Sequence, residues 1–147
     1  MTIRPATPAD IPHLIALERH AATAAHWTEA DYQRLFAAEG PERLALVLEE
    51  AEIVAFIVAR GVGAEWEIEN VAVAGPARRR GLGTRLLGEL LNRLRARRVE
   101  SVFLEVRESN RAARALYEKW AFVESGRRAG YYRDPVETAV QYRLTFP

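Results

Sequence analysis

The 147-residue chain has no cysteine, one methionine and three histidines. The missing thiols exclude disulfides, thiolate metal sites and a cysteine nucleophile together. His13, His20 and His26 are scattered without ligand spacing, so no metal is expected. Neither charge is in excess: 21 Lys+Arg against 20 Asp+Glu leave a net charge of +1. A dedicated nucleic-acid binder shows a clear basic surplus. No apolar run approaches the roughly 20 residues of a membrane span, and the first residues carry no apolar leader-like segment. These absences predict a soluble, cytoplasmic protein with neither nucleic acid nor membrane as partner. Lysine is almost missing too: of the 21 basic residues only Lys119 is lysine, so single arginines are weak indicators.

What is present is a packed core. The composition is 49% hydrophobic and 28% charged, without repeats, low-complexity tracts or a linker, which predicts a single domain over residues 1–147. Ile3 to Pro5 reads as a short strand. Thr7-Pro8-Ala9-Asp10 supplies a cap, a first-turn proline and an acid three residues on, and opens a helix burying Ile11, Leu14, Ile15 and Leu17. Thr28 and Asp31 repeat that logic for a second helix, closed by Gly40-Pro41. Arg43–Glu50 and Ile53–Arg60 read as a hairpin, followed by a strand over Trp66–Ala74. Leu86, Leu87, Leu90, Leu91 and Leu94 form one face of a helix. Val99–Val106 is a compact apolar strand. Ser109 is placed to cap a helix from Asn110 to about Trp120, and Phe122–Arg128 and Thr138–Phe146 close the chain as strands. The order β-α-α-β-β-β-α-β-α-β-β predicts an α/β (α+β) fold, a mixed central sheet of about seven strands with helices on both faces.

The segment from Trp66 to Leu87 joins a buried strand to a helix through Gly75-Pro76, the run Arg78-Arg79-Arg80, Gly81 and Gly83. Such a turn presents free backbone N–H groups at the positive end of the helix dipole, which suits phosphate. Glycine lets the backbone approach closely, and the arginines can add charge-assisted bonds. The pattern is not a dinucleotide fingerprint, because Leu86 replaces the third glycine, and no Gly-Lys-Ser/Thr follows. On spacing alone, an ordinary strand-to-helix turn with solvated arginines explains it equally well.

A second constellation is Leu104-Glu105-Val106-Arg107-Glu108-Ser109-Asn110, then Ala115-Leu116-Tyr117-Glu118 and Phe122. Together with Arg78-x-x-Gly81-x-Gly83 it resembles the GNAT superfamily of acyl-CoA-dependent N-acetyltransferases, and the element order resembles that fold along nearly the whole chain. The LEVR strand end, the SN helix start and the ALYE helix are most similar to bacterial ribosomal-protein alanine N-acetyltransferases. Glu18 and His26-Trp27-Thr28 are similar to the start of that group. The resemblance implies acetyl-CoA as co-substrate, with its pyrophosphate on Arg78, Arg79, Arg80, Gly81, Leu82, Gly83 and Thr84. Its pantetheine arm would lie along Val71, Ala72 and Val73 in a splay between the Trp66–Ala74 and Val99–Val106 strands, pairing with backbone as an added strand does. Asn110 would touch the cofactor arm, or simply support the helix start beside Ser109.

Acyl transfer needs a neutral amine, whereas an amine of pKa about 8–10 is mostly protonated at pH 7, so a base must take a proton. The resemblance assigns that base to Glu105, with Glu67 and Glu69 as rivals on the earlier strand. It assigns the general acid, which protonates the departing thiolate, to Tyr117. A strand N–H near Val71 would polarise the thioester carbonyl. Read without the family, Glu105 is a strand carboxylate beside Arg107, and Tyr117 a core tyrosine. The usual glycine before the final Phe is Ala121 in this chain, which predicts a slightly strained turn. Gly126–Thr138, with Tyr131 and Tyr132, and the His20–Thr28 loop would border the acceptor. The expected acceptor is a protein N-terminal α-amine, such as the alanine of a ribosomal protein. A small-molecule amine is the alternative, and a non-catalytic acyl-CoA-binding module is the rival from another class. Monomer and homodimer both remain open.

Overall fold

The computed structural model describes residues 1–21 and 25–147. Among the described residues one sheet holds β1 (Thr2–Pro5), β2 (Arg43–Glu49), β3 (Ile53–Val62), β4 (Glu65–Val73), β5 (Ser101–Arg107), β6 (Val123–Tyr132) and β7 (Glu137–Thr145). The helices are α1 (Ile11–Arg19), α2 (Glu29–Gln33), α3 (Leu82–Ala96) and α4 (Arg111–Lys119). The strands lie in the order β1-β2-β3-β4-β5-β7-β6, antiparallel except for β4 beside β5. Element order and the mixed, two-sided sheet are as expected from the sequence.

Each face of the sheet has its own core, because alternate strand residues point to opposite sides. On one face Leu44, Leu46, Leu48, Ile57, Val102, Leu104 and Val140 meet the leucine stripe of α3 and Tyr117 of α4. Leu86, Leu90 and Leu94 of that stripe are fully buried. Burying each side chain is worth about 1.5–3 kcal/mol, so α3 is held by packing more than by propensity. Where α3 and α4 cross, a Cβ on Gly88 would lie 2.9 Å from the Trp120 ring, so glycine sets the closeness of the two helices. On the other face α1 and α2 cover Val47, Phe56, Val58 and Ala72 with Leu14 and Tyr32.

Several boundaries differ from the sequence reading. Of the four apolar α1 residues only Leu14 is fully buried; the other buried position is Glu18, while Ile11, Ile15 and Leu17 are half-buried. Ser109 does not cap α4: the Asn110 side chain accepts the Ala113 N–H at 3.1 Å, while the Ser109 N–H donates to Glu137. Phe122 belongs to the turn, and β6 starts at Val123 and runs through Tyr132. The tyrosine pair therefore ends a strand where a loop was expected. Both capping boxes expected at Thr7/Asp10 and Thr28/Asp31 are formed.

Candidate active site

The site begins where two strands part. β4 and β5 pair at Glu65/Ser101, Trp66/Val102 and Glu67/Phe103 and nowhere beyond. Past that point Ile68–Val73 and Leu104–Arg107 diverge and leave backbone groups unpaired on both inner edges. A bulge opposite Val58/Ala59 makes Glu69 the extra residue of β4. The bulge reverses the facing of the strand's second half: Trp66 and Ile68 point to the α3–α4 side, whereas Asn70 and Ala72 turn toward α1 and α2. Val71 and Val73 consequently pack against the α3–α4 core.

At the end of the splay the chain makes a tight turn over Gly75–Ala77 and enters α3. Arg79 (φ 66°) and Gly81 (φ 74°) are both left-handed. Gly81 is the N-cap residue of α3, and no side chain caps the helix or puts an acid in its first turn. The N–H groups of Leu82, Gly83 and Thr84 thus remain available to an anion. Nothing lies within 4 Å of where a Gly81 Cβ would stand, so the space beside the helix start is open. A Cβ on Gly83 would stand 3.6 Å from Leu116 and 3.9 Å from Val73, so α3, α4 and β4 converge there. The three arginines are used unequally. Arg80 makes two hydrogen bonds to Glu50, at 2.9 and 2.8 Å. Arg78 donates to the carbonyls of Val73 and His20, both at 3.3 Å. Arg79 has no side-chain hydrogen bond among the described residues.

Glu105 lies on β5 beside the splay, on the face away from α3 and α4. Its Oε1 accepts from Gln141 Nε2 at 3.3 Å and faces Arg128 Nη2 at 3.6 Å. Its Oε2 is buried and has no hydrogen-bond partner. The expected neighbour Arg107 is engaged elsewhere, with Glu137 and with the carbonyls of Arg133 and Pro135, its guanidinium 4.6 Å from the Tyr132 ring centroid. Glu67 and Glu69 share this face and both are paired: Glu67 with Arg60 at 2.9 Å, Glu69 with Arg43 at 3.1 Å.

Tyr117 comes from the other side of the sheet, on α4, packed between Phe122 and Tyr142 with ring centroids 5.6 and 6.3 Å away. Burial, and secondly the nearby Tyr132, push its hydroxyl well above the usual tyrosine range, so it keeps its proton at neutral pH. Tyr132 is itself pushed up to about 12, by burial first and the Glu105 charge second. The tyrosine pair thus lies among the groups around Glu105: Tyr131 meets Tyr132 edge-on at 5.2 Å and stacks under Arg128 at 5.3 Å. Gln141 was missed by sequence reasoning, and Arg128 and Gly126 were expected only as part of the Gly126–Thr138 segment bordering the acceptor. Register pairs Gln141 with Glu105, and a Cβ on Gly126 would lie 2.5 Å from the Gln141 amide oxygen. Residues 22–24 of the expected acceptor loop lie outside the described residues. Among the described residues no three His, Asp or Glu side chains gather as a metal site requires, and no helix is long and apolar enough to cross a membrane.

The acetyltransferase (GNAT) family model matches residues 12–122. The chain is a GNAT acetyltransferase. It is 38% identical over 124 residues to the [ribosomal protein bS18]-alanine N-acetyltransferase of Salmonella typhimurium, covering 84% of this chain and 81% of that one. The crystal structure of the ribosomal-protein-S18-alanine N-acetyltransferase from Escherichia coli superposes with a TM-score of 0.84 at 32% identity, over 98% of this chain and 92% of that chain. Ard1 from Thermoplasma volcanium superposes with a TM-score of 0.84 at 28% identity, over 99% and 97% of the two chains. Acetyl-CoA is the co-substrate of this GNAT enzyme, and the open space at Gly81, uncapped helix start and unpaired strand edges fit an extended ligand ending in phosphate.

Proposed function

We propose that the enzyme acetylates a protein N-terminal α-amine, the alanine of a ribosomal protein, with Glu105 as general base and Tyr117 as general acid. The observation that carries the chemistry is Glu105 Oε2, a buried carboxylate oxygen without a partner at the mouth of the splay. Gln141 and Arg128 occupy the other oxygen, so among the described residues Oε2 keeps lone pairs that no protein donor uses. Glu67 and Glu69 are held by closer arginines, Glu67 by Arg60 at 2.9 Å and Glu69 by Arg43 at 3.1 Å, against 3.6 Å from Arg128 to Glu105.

Acetyl-CoA supplies the activated acetyl group as a thioester. The backbone of residues 79–84 would hold its pyrophosphate, and Val71, Ala72 and Val73 its pantetheine arm, with Asn110 beside it. Glu105 Oε2 takes a proton from the entering ammonium and leaves a neutral nitrogen to attack. Tyr117, still protonated at neutral pH, gives its hydroxyl proton to the departing sulfur. The unpaired backbone near Val71 offers an N–H to the carbonyl oxygen as charge develops there.

Two features support the acceptor. Relatives at 38% and 32% identity are named ribosomal protein S18 alanine N-acetyltransferases, and Tyr131 and Tyr132 border the base as walls for an extended peptide. A ribosomal-protein acceptor places the enzyme in the cytoplasm. The test is CoA release on three classes of acceptor: peptides with varied free N-termini, lysine peptides with blocked N-termini, and small amines. Mass spectrometry then locates the acetyl group. Turnover confined to alanine-starting peptides is expected. Turnover only on small amines would discard the ribosomal assignment and keep the mechanism.

A further inference from the structure

The carboxylate of Glu18 has no place in the chemistry of acyl transfer, yet it is only 4% exposed. Among the described residues its partners are neutral donors: the Trp27 N–H at 2.9 Å and Asn70 Nδ2 at 3.0 Å. Asn70 Nδ2 also reaches the Tyr32 hydroxyl at 3.3 Å. Burial, and next the Glu18 carboxylate, raise that hydroxyl far above its ordinary range, so it too presents a proton to the cluster. A carboxylate hidden without a cation is costly unless donors surround it. These donors come from three places: the connection into α2, α2 itself, and β4. Asn70 follows the bulge residue Glu69 and precedes Val71, inside the part of β4 that has left β5. Its other atom, Oδ1, is buried and has no partner.

We propose that Glu18 is a positioning residue for the acceptor: its carboxylate fastens the Trp27–Thr28 segment to the splayed half of β4 and fixes the wall against which the incoming amine is held. This rests on the proposed function, in which the amine approaches from the face of Glu105. Both donors meet the same carboxylate oxygen, Glu18 Oε1, in charge-assisted bonds; an amide oxygen in its place would accept them without the charge.

The test uses whichever amine the wild-type enzyme turns over among the three acceptor classes. Glu18→Gln should raise the acceptor KM roughly 10–100-fold, the loss of a charge-assisted bond, while acetyl-CoA affinity by calorimetry changes less than about twofold. Asn70→Asp should do the same by setting two carboxylates face to face. Combining the two exchanges amide and carboxylate, so the bridge re-forms: the new amide donates to the new carboxylate while its oxygen still receives the Trp27 N–H. The double variant should recover the acceptor KM; a rise in acceptor KM with acetyl-CoA affinity and Tm retained is the readout that a merely structural role would not give. If Glu18→Gln does not fold, Tyr32→Phe removes one hydroxyl from the cluster and should show the same split at smaller size. Wild-type acceptor KM in the single variants, additive losses in the double, or acetyl-CoA affinity falling in step would each overturn the proposal. Because any accepted amine serves, failure of the alanine-terminus reading appears in the wild-type panel, and failure of this inference in the variants.

Discussion

Phe122 closes α4 onto Tyr117 twice: its N–H donates to the Tyr117 carbonyl at 3.0 Å, and the two rings meet edge-on at 5.6 Å. The Ala121 N–H bonds the Glu118 carbonyl in the same turn, which makes a Schellman closure with Ala121 in the left-handed position at φ 69°. The strain expected from alanine at this place is therefore present. Left-handed backbone costs a residue with Cβ about 1–2 kcal/mol, against roughly 0.5–1 kcal/mol for the extra freedom of unfolded glycine. Ala121→Gly should stabilise by about 0.5–1 kcal/mol and raise Tm by about 1–4 °C, with turnover unchanged. A lower Tm in calorimetry would contradict this.

Glu105→Gln removes the free carboxylate oxygen and leaves the side-chain volume. Turnover should fall roughly 10²–10⁴-fold with acetyl-CoA affinity retained. Wild-type turnover would move the proton transfer to another group.

Tyr117→Phe deletes one hydroxyl and keeps the ring contacts with Phe122 and Tyr142. Turnover should drop by roughly 10² or more, while Tm and acetyl-CoA affinity hold. Full activity would return Tyr117 to a packing role alone.

Gly81→Val puts a β-branched side chain where φ is 74° and where the space beside the helix start is open. Calorimetry should show acetyl-CoA binding weakened by at least about tenfold, from strain and from the filled space together. Unchanged affinity would place the phosphates elsewhere.

Asp10 gives a pH signature away from the site. The Arg4 guanidinium, with help from Thr7, holds its carboxyl at about 2, below its ordinary 3.8. A pKa lowered on folding stabilises the fold above the unfolded value, so the gain is complete above about pH 4 and is lost as pH falls toward 2. The gain is about 2 kcal/mol. Asp10→Asn should remove it at pH 7 and flatten the fall in stability between pH 4 and 2, as denaturant melts would show.

Local patterns carried much of the fold. The α3 leucine stripe, both capping boxes and the β2–β3 hairpin follow from spacing and turn chemistry alone. Glu105 and Tyr117 were legible as motif residues. Glu18 was legible only by likeness, because nothing in its helix indicates that a carboxylate would be buried; Asn70, its partner, is distant in the chain. The contacts of Gln141 and Arg128 with Glu105 escaped for a similar reason: they arise through register between β5, β7 and β6, which pairing sets and composition does not. The Ser109 cap failed because Asn110, one residue on, takes the N-cap place and its side chain accepts the Ala113 N–H.

The early end of β4–β5 pairing gives the sheet a border in its middle. Edge strands are ordinarily guarded against further pairing, yet these inner rims lie flanked by helices, where a neighbouring protein strand does not fit. Among the β4 amides that face β5 rather than β3, exchange should therefore run at two tempos: slow beside Trp66 and Glu67, where β5 is bonded, and faster toward Val73 until a slender, amide-bearing chain pairs with that edge.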